Sequence, residues 1–271
     1  MPPLFEGDYM KPIGLYIHIP FCNGKCPYCD FYSLTKPVDL QGVYVSALID
    51  EIKNGSRLKG LFNKKNVTFD TIYLGGGTPS VLSGEEIYNI ITAIKENYNL
   101  CENVEITVEC NPNSDIYSLI PYFKKCGVNR ISMGLQSAVD NERQILGRLS
   151  DRNQVENAVK MAQRVGFKNI TLDVMLGIPN QTEKSLNETL DFCVSLGVPH
   201  ISAYMLKLEE NTHFYKNQDK YNFPDDDLTA DLYLQMCEKL EENGIMQYEI
   251  SNFSFPSTIA SFSNFFVPIC S

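Results

Sequence analysis

The chain has 271 residues, 44% of them hydrophobic, with 23 Lys and Arg against 33 Asp and Glu, a formal net charge of −10. That size and apolar share suffice for one large α/β barrel-type domain without cross-links, and the acidic balance, with no basic stripe, excludes nucleic acid as the main partner. Nine cysteines, an odd number, and a front end that is no cleavable signal sequence point to a reducing compartment and a cytoplasmic location, not to a disulfide scaffold.

Short apolar, β-rich runs alternate with segments of helical period, the rhythm of a parallel sheet covered by helices. Strands are expected at Gly14–Ile19, Asp70–Leu74, Glu105–Cys110, Arg130–Gly134, Asn169–Met175 and His200–Leu206. Residues 1–9 read as a non-native extension ahead of Met10-Lys-Pro-Ile-Gly-Leu-Tyr16. Residues 10–250 read as the core barrel with the start of a C-terminal extension.

Directly after the first strand comes Cys22-Asn-Gly-Lys-Cys26-Pro-Tyr-Cys29. Three thiolates on one short loop can hold three irons of a [4Fe–4S] cluster, where a closed site takes four, so one iron is left open to a small-molecule chelator. Zinc is the competing reading, yet it wants four ligands, usually as two separated pairs, and no second pair or nearby histidine completes the set. Three unrelated core cysteines are the bland alternative. Cys110, Cys126, Cys193 and Cys237 do read that way, as small buried apolar residues.

Further along, Gly75-Gly-Gly-Thr-Pro-Ser80 follows the second strand, and its glycines let backbone approach a ligand closely. Taken alone such a run is a tight turn. Ser83 and Glu86 make a capping box ahead of Ile87, Ile90, Ile91 and Ile94, one buried helix face. Alternation in the third strand puts Glu105, Thr107 and Glu109 on one face. An acid lining a barrel needs hydrogen-bond donors, for which ribose hydroxyls are suited, whereas a solvent-facing Glu109 needs none.

Three joints, Cys126-Gly127, Val165-Gly166 and Leu196-Gly197, each read as helix, glycine stop and next strand. Val155, Ala158, Val159 and Ala162 form one helical stripe, and Leu186, Leu190 and Cys193 another. Asp173 sits in an almost wholly apolar strand, where a lone carboxylate is costly unless paired or bound to a ligand. Arg148, in the helical connection before it, is either its counter-charge, a fork for a ligand carboxylate, or a helix-surface residue. A last helix, Asp225–Asn243, carries Leu228, Leu232, Met236 and Leu240 on one stripe and is expected to pack outside the barrel. Active sites of such barrels lie at the C-terminal strand ends, and there fall Tyr16, the cysteine loop, the glycine run, Glu109, Gln136 and Asp173.

The segments Leu15-Tyr-Ile-His-Ile-Pro-Phe-Cys22, Cys26-Pro-Tyr-Cys-Asp-Phe-Tyr-Ser33, Tyr73-Leu-Gly-Gly-Gly-Thr-Pro-Ser80, Arg130-Ile-Ser-Met-Gly-Leu-Gln-Ser137, Leu146-Gly-Arg148, Asp173-Val-Met-Leu-Gly-Ile-Pro179 and Tyr248-Glu-Ile-Ser-Asn-Phe253 occur in this order from about Lys11 to Phe253. Together they resemble the radical S-adenosylmethionine (SAM) superfamily, within it the oxygen-independent coproporphyrinogen III oxidase-like group, and most of all its HemW-type heme chaperones. The resemblance implies a partial (β/α)6 TIM-like barrel. It implies a [4Fe–4S] cluster on Cys22, Cys26 and Cys29, with SAM on the open iron and against Tyr16, Tyr28, Gly76, Gly77, Thr78, Glu109, Gln136, Arg148 and Asp173. It further implies heme or a related tetrapyrrole as ligand, a hemoprotein acceptor and an electron donor, with membrane association only through an acceptor. Tyr16 and Tyr28, taken alone, are equally ordinary aromatic packing.

Two departures bear on function. Phe31 stands where true coproporphyrinogen oxidases carry a further cysteine, which disfavours decarboxylation. After Phe253 the expected His-Asn-x-x-Tyr-Trp segment and C-terminal domain are replaced by an uncharged tail, residues 251–271, that reads as a frameshift or truncation and is too broken by proline and serine for a membrane span. Of the three histidines, His18 is expected to bond locally in the barrel, and His200 and His213 are weak heme-ligand candidates. Three readings stand: a heme chaperone with SAM and cluster, a radical enzyme acting on a tetrapyrrole, or a non-functional truncated fragment.

Overall fold

A computed structural model describes residues 13–35, 38–55, 67–113 and 115–258. The expected extension at residues 1–9 and the tail from residue 259 lie outside them. The elements in chain order are β1 (Ile13–Ile19), β2 (Phe21–Cys22), β3 (Leu34–Thr35), α1 (Val38–Asn54), β4 (Thr68–Gly76), α2 (Gly84–Asn97), β5 (Asn99–Cys110), α3 (Ile116–Cys126), β6 (Arg130–Gln136), α4 (Asp140–Ile145), α5 (Arg152–Arg164), β7 (Asn169–Leu176), α6 (Glu183–Ser195), β8 (His200–Met205), α7 (His213–Lys216), α8 (Asp226–Glu242), β9 (Met246–Glu249) and β10 (Asn252–Ser254).

One eight-stranded sheet runs β1-β4-β5-β6-β7-β8-β10-β9. Its strands from β1 to β8 are mutually parallel, and β10 joins β8 antiparallel with β9 beyond it. β1 and β9 are its two edges, so the curve is the expected partial α/β barrel. The expected strands are all present, extended at β4 to Thr68–Gly76 and at β5 to Asn99–Cys110. The β9–β10 hairpin, which the sequence reading lacked, spans the expected boundary after Ile250. Gly244, with φ of 77°, ends α8 ahead of it, and Glu249 closes its turn by accepting from Ser251 N and Asn252 Nδ2.

Helix ends follow the sequence signals. Ser83 with Glu86, Asp151 with Gln154, and Thr182 with Ser185 each form a reciprocal capping box, satisfying donors that a helix start leaves open. Gly127, Gly166 and Gly197 adopt φ of 91°, 90° and 62° at the three helix-to-strand joints. α8 buries Leu232, Met236 and Leu240 and packs on α6 and β9, outside the barrel.

The apolar core lies between the sheet's outer face and the helices. Ile72, Leu74, Ile106, Val108, Leu172 and Val174 meet Ile87, Ile91, Ile120, Val159 and Leu190 there, all essentially inaccessible. Each such side chain stabilises by roughly 1.5–3 kcal/mol on burial. The inner face is the opposite. Its alternating positions carry Thr71, Tyr73, Glu105, Thr107, Glu109, Arg130, Ser132, Thr171, Asp173, His200 and Ser202, where TIM barrels usually stack branched apolar residues. Every one of those polar groups needs a partner inside the barrel or a ligand. No helix of the described residues is long and apolar enough to cross a membrane.

Candidate functional site

At the N-terminal end of the barrel the polar layer closes on itself. Arg130 Nη1 pairs with Glu105 Oε1 at 3.1 Å, its Nε and Nη2 donate to Thr171 Oγ1, and Thr107 Oγ1 donates to Glu105. His200 Nε2 bonds the Tyr248 hydroxyl at 2.8 Å. Burial, then the charge of Arg130, pushes His200 down to about 2, so it stays neutral, and it is fully buried at this end of the barrel.

The C-terminal mouth is different. Tyr73 OH donates to Glu109 Oε1 at 2.5 Å and Gly76 N to Glu109 Oε2 at 3.3 Å. Ser132 Oγ donates to Asp173 Oδ1 at 3.1 Å. Both carboxyls keep some contact with the open mouth but lie deep among protein atoms. Burial raises Glu109, and burial together with the Glu109 charge raises Asp173 to about 7. Apolar neighbours in sequence suggested an isolated Asp173, but they point outward, and the side chain itself faces polar groups of the lumen.

Arg148 comes in from the loop between α4 and α5. Its Nη2 donates to Gly134 O at 2.6 Å and Asn111 Oδ1 at 3.3 Å, and the Tyr28 hydroxyl lies beside the guanidinium, while its Nε has no hydrogen-bond partner among the described residues. Burial works against its charge, but Tyr28, Cys26 and Tyr204 outweigh it and hold the guanidinium above its ordinary value. No ion pair joins it to Asp173 among the described residues; its charge only lowers that carboxyl's shift. Gln136 stands at a bulge in the β6–β7 register with φ of 68°. Its Oε1 accepts from Tyr204 OH at 2.6 Å, which leaves the amide Nε2 as a donor.

The cysteine loop leaves the end of β1 at the same mouth. Gly77 N donates to Ile19 O at 2.9 Å and Thr78 N to Phe21 O at 2.7 Å, tying the glycine run to the start of the loop. A Cβ on Gly76, whose φ is 111°, would lie 2.4 Å from His18 Nδ1, and one on Gly77 would lie 2.6 Å from Phe21 O. The glycines therefore admit close approach of β1 and the loop. Thr78 Oγ1 sits 3.5 Å from Cys22 Sγ, and Cys29 N donates to Cys26 O at 3.1 Å. On the far side Phe214 N donates to Pro27 O at 3.0 Å, and Tyr28 packs with Leu146, Met175, Ile178 and Phe214 in a small apolar cluster of its own.

All three loop thiols are free and half-buried. Burial raises Cys29, with Cys26 and Cys22 close enough to add to the shift by their charge. Three thiols on one loop, each able to bind a different iron, are the donor chemistry of a [4Fe–4S] group, whereas a zinc site takes four ligands. Cys110, Cys126 and Cys193 are buried as expected, but Cys237 is only half-buried, because the α8 face that carries it looks toward Tyr233 and Gln247 at the surface.

Of the residues singled out in the sequence, Tyr16, Glu109, Gln136, Arg148 and Asp173 thus share the mouth, and Tyr28, Gly76, Gly77 and Thr78 border the cysteine loop. Tyr16 is 51% exposed and stacks on Tyr73 with centroids 6.1 Å apart. His18 bonds locally, to Tyr16 OH at 3.2 Å and Tyr32 O at 3.1 Å. His213 is exposed on α7. Sequence reasoning missed Tyr73, Ser132 and Tyr204, for which the alternation of their strands was a usable signal.

Residues 16–193 match the radical SAM superfamily. The chain is 37% identical over 247 residues to the heme chaperone HemW of Haemophilus influenzae, covering 90% of this chain and 63% of that one. It is 34% identical over 248 residues to HemW of Escherichia coli, covering 91% and 64%. The chain therefore spans somewhat under two thirds of the length of these relatives. Among solved structures, coproporphyrinogen III oxidase (HemN) from Escherichia coli, described as a radical SAM enzyme, superposes with a TM-score of 0.81 at 24% identity, over 90% of this chain and 56% of that one. Streptococcus suis SuiB bound to S-adenosylmethionine gives 0.56 at 17% identity, over 85% and 48%. These two likenesses concern the fold.

Proposed function

The chain belongs to the radical SAM superfamily, and from that premise we propose that it is a HemW-type protein that holds a [4Fe–4S] cluster and SAM and binds heme for transfer to a hemoprotein. The family implies the cluster and SAM; the heme role rests on the name of the relatives. The observation that carries the reading is a loop of three free thiols held, through Gly77 and Thr78, against the polar mouth of the barrel.

In this reading Cys22, Cys26 and Cys29 hold three irons. When bound, the cluster and SAM supply one-electron chemistry at the sulfonium, which is the cofactors' own. The chain binds and orients. Arg148, with an unused Nε and no carboxylate bonded to it among the described residues, meets a ligand carboxylate. Glu109, steadied by Tyr73 and Gly76, accepts from sugar hydroxyls. Asp173 offsets ligand positive charge, and Tyr16 covers the mouth as an exposed ring. Gly76, Gly77, Thr78 and Tyr28 shape the loop.

Phe31, 61% exposed beside the third cysteine, puts an apolar side chain where the decarboxylating relatives are expected to have a thiol, which favours the chaperone over an oxidase. The test is anaerobic reconstitution of the chain and of a Cys22→Ser/Cys26→Ser/Cys29→Ser variant, followed by SAM and then heme titration. The wild type should take up about four irons per chain, respond spectrally to SAM and shift the heme Soret band; the variant should lose the iron. Iron-loaded protein with no Soret shift overturns the heme role, and failure to hold iron overturns the whole reading.

A further inference from the structure

Arg143 lies on α4, outside the mouth, and is 2% exposed. Its hydrogen bonds bracket Gln136 and reach the backbone around Arg148. Nη1 donates to Leu135 O at 3.1 Å and Ser137 O at 2.8 Å, the carbonyls on either side of Gln136. Nη2 donates to Ser150 O and, at 3.1 Å, to Ser150 Oγ, two residues beyond Arg148. Its own carbonyl accepts from Arg148 N at 2.9 Å.

One planar guanidinium therefore ties the end of β6 to the loop after α4. The backbone it holds is not relaxed, since Gln136 occupies the left-handed region at φ of 68°, a conformation that surroundings must enforce for a side-chain-bearing residue. The outcome is convergence. A Cβ on Gly134 would sit 3.0 Å from both Gln136 Nε2 and Arg148 Nη2, so the Gln136 amide and the Arg148 guanidinium meet over a residue that has no side chain; Nη2 is itself committed to Gly134 O and Asn111 Oδ1, and Nε is the N–H that remains. Burial, and then the nearby charge of Arg148, lowers Arg143 to about 10, so it remains a cation at neutral pH and an expensive group to keep inside.

We propose that Arg143 is a positioning residue for an anionic ligand group, a carboxylate in the first instance, because it fixes the backbone on both sides of Gln136 and at Arg148 and Ser150, so that the Gln136 amide and the Arg148 guanidinium are held together across Gly134. The inference rests on the reading of Gln136 and Arg148 as SAM contacts. A lysine cannot replace it, since one ammonium cannot span the three carbonyls that the fork bridges.

The test uses the reconstituted full chain. Arg143→Lys should keep its iron and lose roughly tenfold in SAM affinity, about 1.4 kcal/mol, with a weaker SAM-induced change in the electron paramagnetic resonance of the reduced cluster. Added to Arg148→Met, it should cost clearly less than it does alone, because one of the two groups it works through is already gone. Full additivity, or unchanged affinity per cluster, overturns the proposal. Should Arg143→Lys not fold, Ser150→Ala removes one of its contacts and should show the same pattern at roughly twofold. If iron-loaded wild type shows no SAM response, the functional reading falls by itself. Amide exchange in iron-free protein then decides the role of Arg143: Arg143→Lys should speed exchange in residues 134–150 and not in the cysteine loop, and unchanged exchange there sinks the clamp.

Discussion

The two ends of the barrel interior are built from the same kinds of residue and behave in opposite ways. At the N-terminal end, Glu105, Arg130, Thr171, His200 and Tyr248 spend their hydrogen bonds on one another. At the mouth, Glu109 and Asp173 hold carboxyls raised by burial, while Arg148 keeps an unpartnered Nε and faces carbonyl oxygens. Charge balance at the lower end is internal; at the upper end opposite charges lie near each other without pairing. Unmet bonding capacity in a partly dry site is costly for the free protein, and a ligand bearing both ammonium and carboxylate would meet it.

Exchanging an arginine in each layer breaks this comparison most sharply. Arg130→Met should cost about 3–5 kcal/mol in urea denaturation, because it strands Glu105 in a closed interior. Arg148→Met should cost about 1.5–3 kcal/mol, the worth of a charged donor to carbonyls, yet weaken SAM at least roughly tenfold. Equal stability losses would erase the distinction between a structural layer and a binding one.

How far the sequence revealed this split can be judged residue by residue. The parallel strands were legible because their outward positions are apolar at period two and glycine stops mark three of the helix-to-strand joints. The first half of β5, Asn99–Val104, was not, since Glu102 and Asn103 are exposed and break the apolar run; the β9–β10 hairpin was too short and polar to signal itself. The cysteine loop, Glu109, Asp173, Gln136 and Arg148 were legible through their motifs. But Glu105 and Glu109 lie on the same face of one strand, and nothing local says that one meets an arginine and the other does not. Arg143 was invisible for a related reason: in a segment as charged as Asp140-Asn-Glu-Arg143, burial is decided by the loops that fold over it.

Asp173 sharpens the comparison through pH. Burial and the charge of Glu109 raise its folded-state carboxyl from an ordinary 3.8 to about 7, so the folded protein retains a proton that the unfolded chain releases near pH 4. Its contribution to stability is therefore full below about pH 4 and is lost as pH rises through about 7, by at most ~4 kcal/mol at 1.36 kcal/mol per unit. Asp173→Asn cannot ionise, so its melting temperature relative to wild type should climb between pH 5 and pH 8. Over the same span SAM affinity of the wild type should rise, since ligand positive charge favours the carboxylate, and that rise should flatten in the variant. A parallel stability profile for both proteins would place Asp173 in the satisfied class with Glu105.

The smallest expected effect lies outside the barrel, at Lys25. Its Nζ donates to Phe31 O at 2.6 Å and Ser33 Oγ at 3.2 Å, closing the loop that carries Cys26 and Cys29, and its charge reaches Cys29. Lys25 is exposed, so solvent screens it and the clasp is weak. Lys25→Met should still take up its irons but release them to a chelator roughly two- to fivefold faster. Its cluster should also reduce at a more negative potential, because a nearby cation favours the reduced, more negatively charged state. Lys25→Arg should restore both. The potential difference should shrink as salt rises toward 1 M, where the screening length falls to about 3 Å. A salt-independent difference would mean that Lys25 acts by holding loop geometry, as the closed end of the barrel does, and not by its charge.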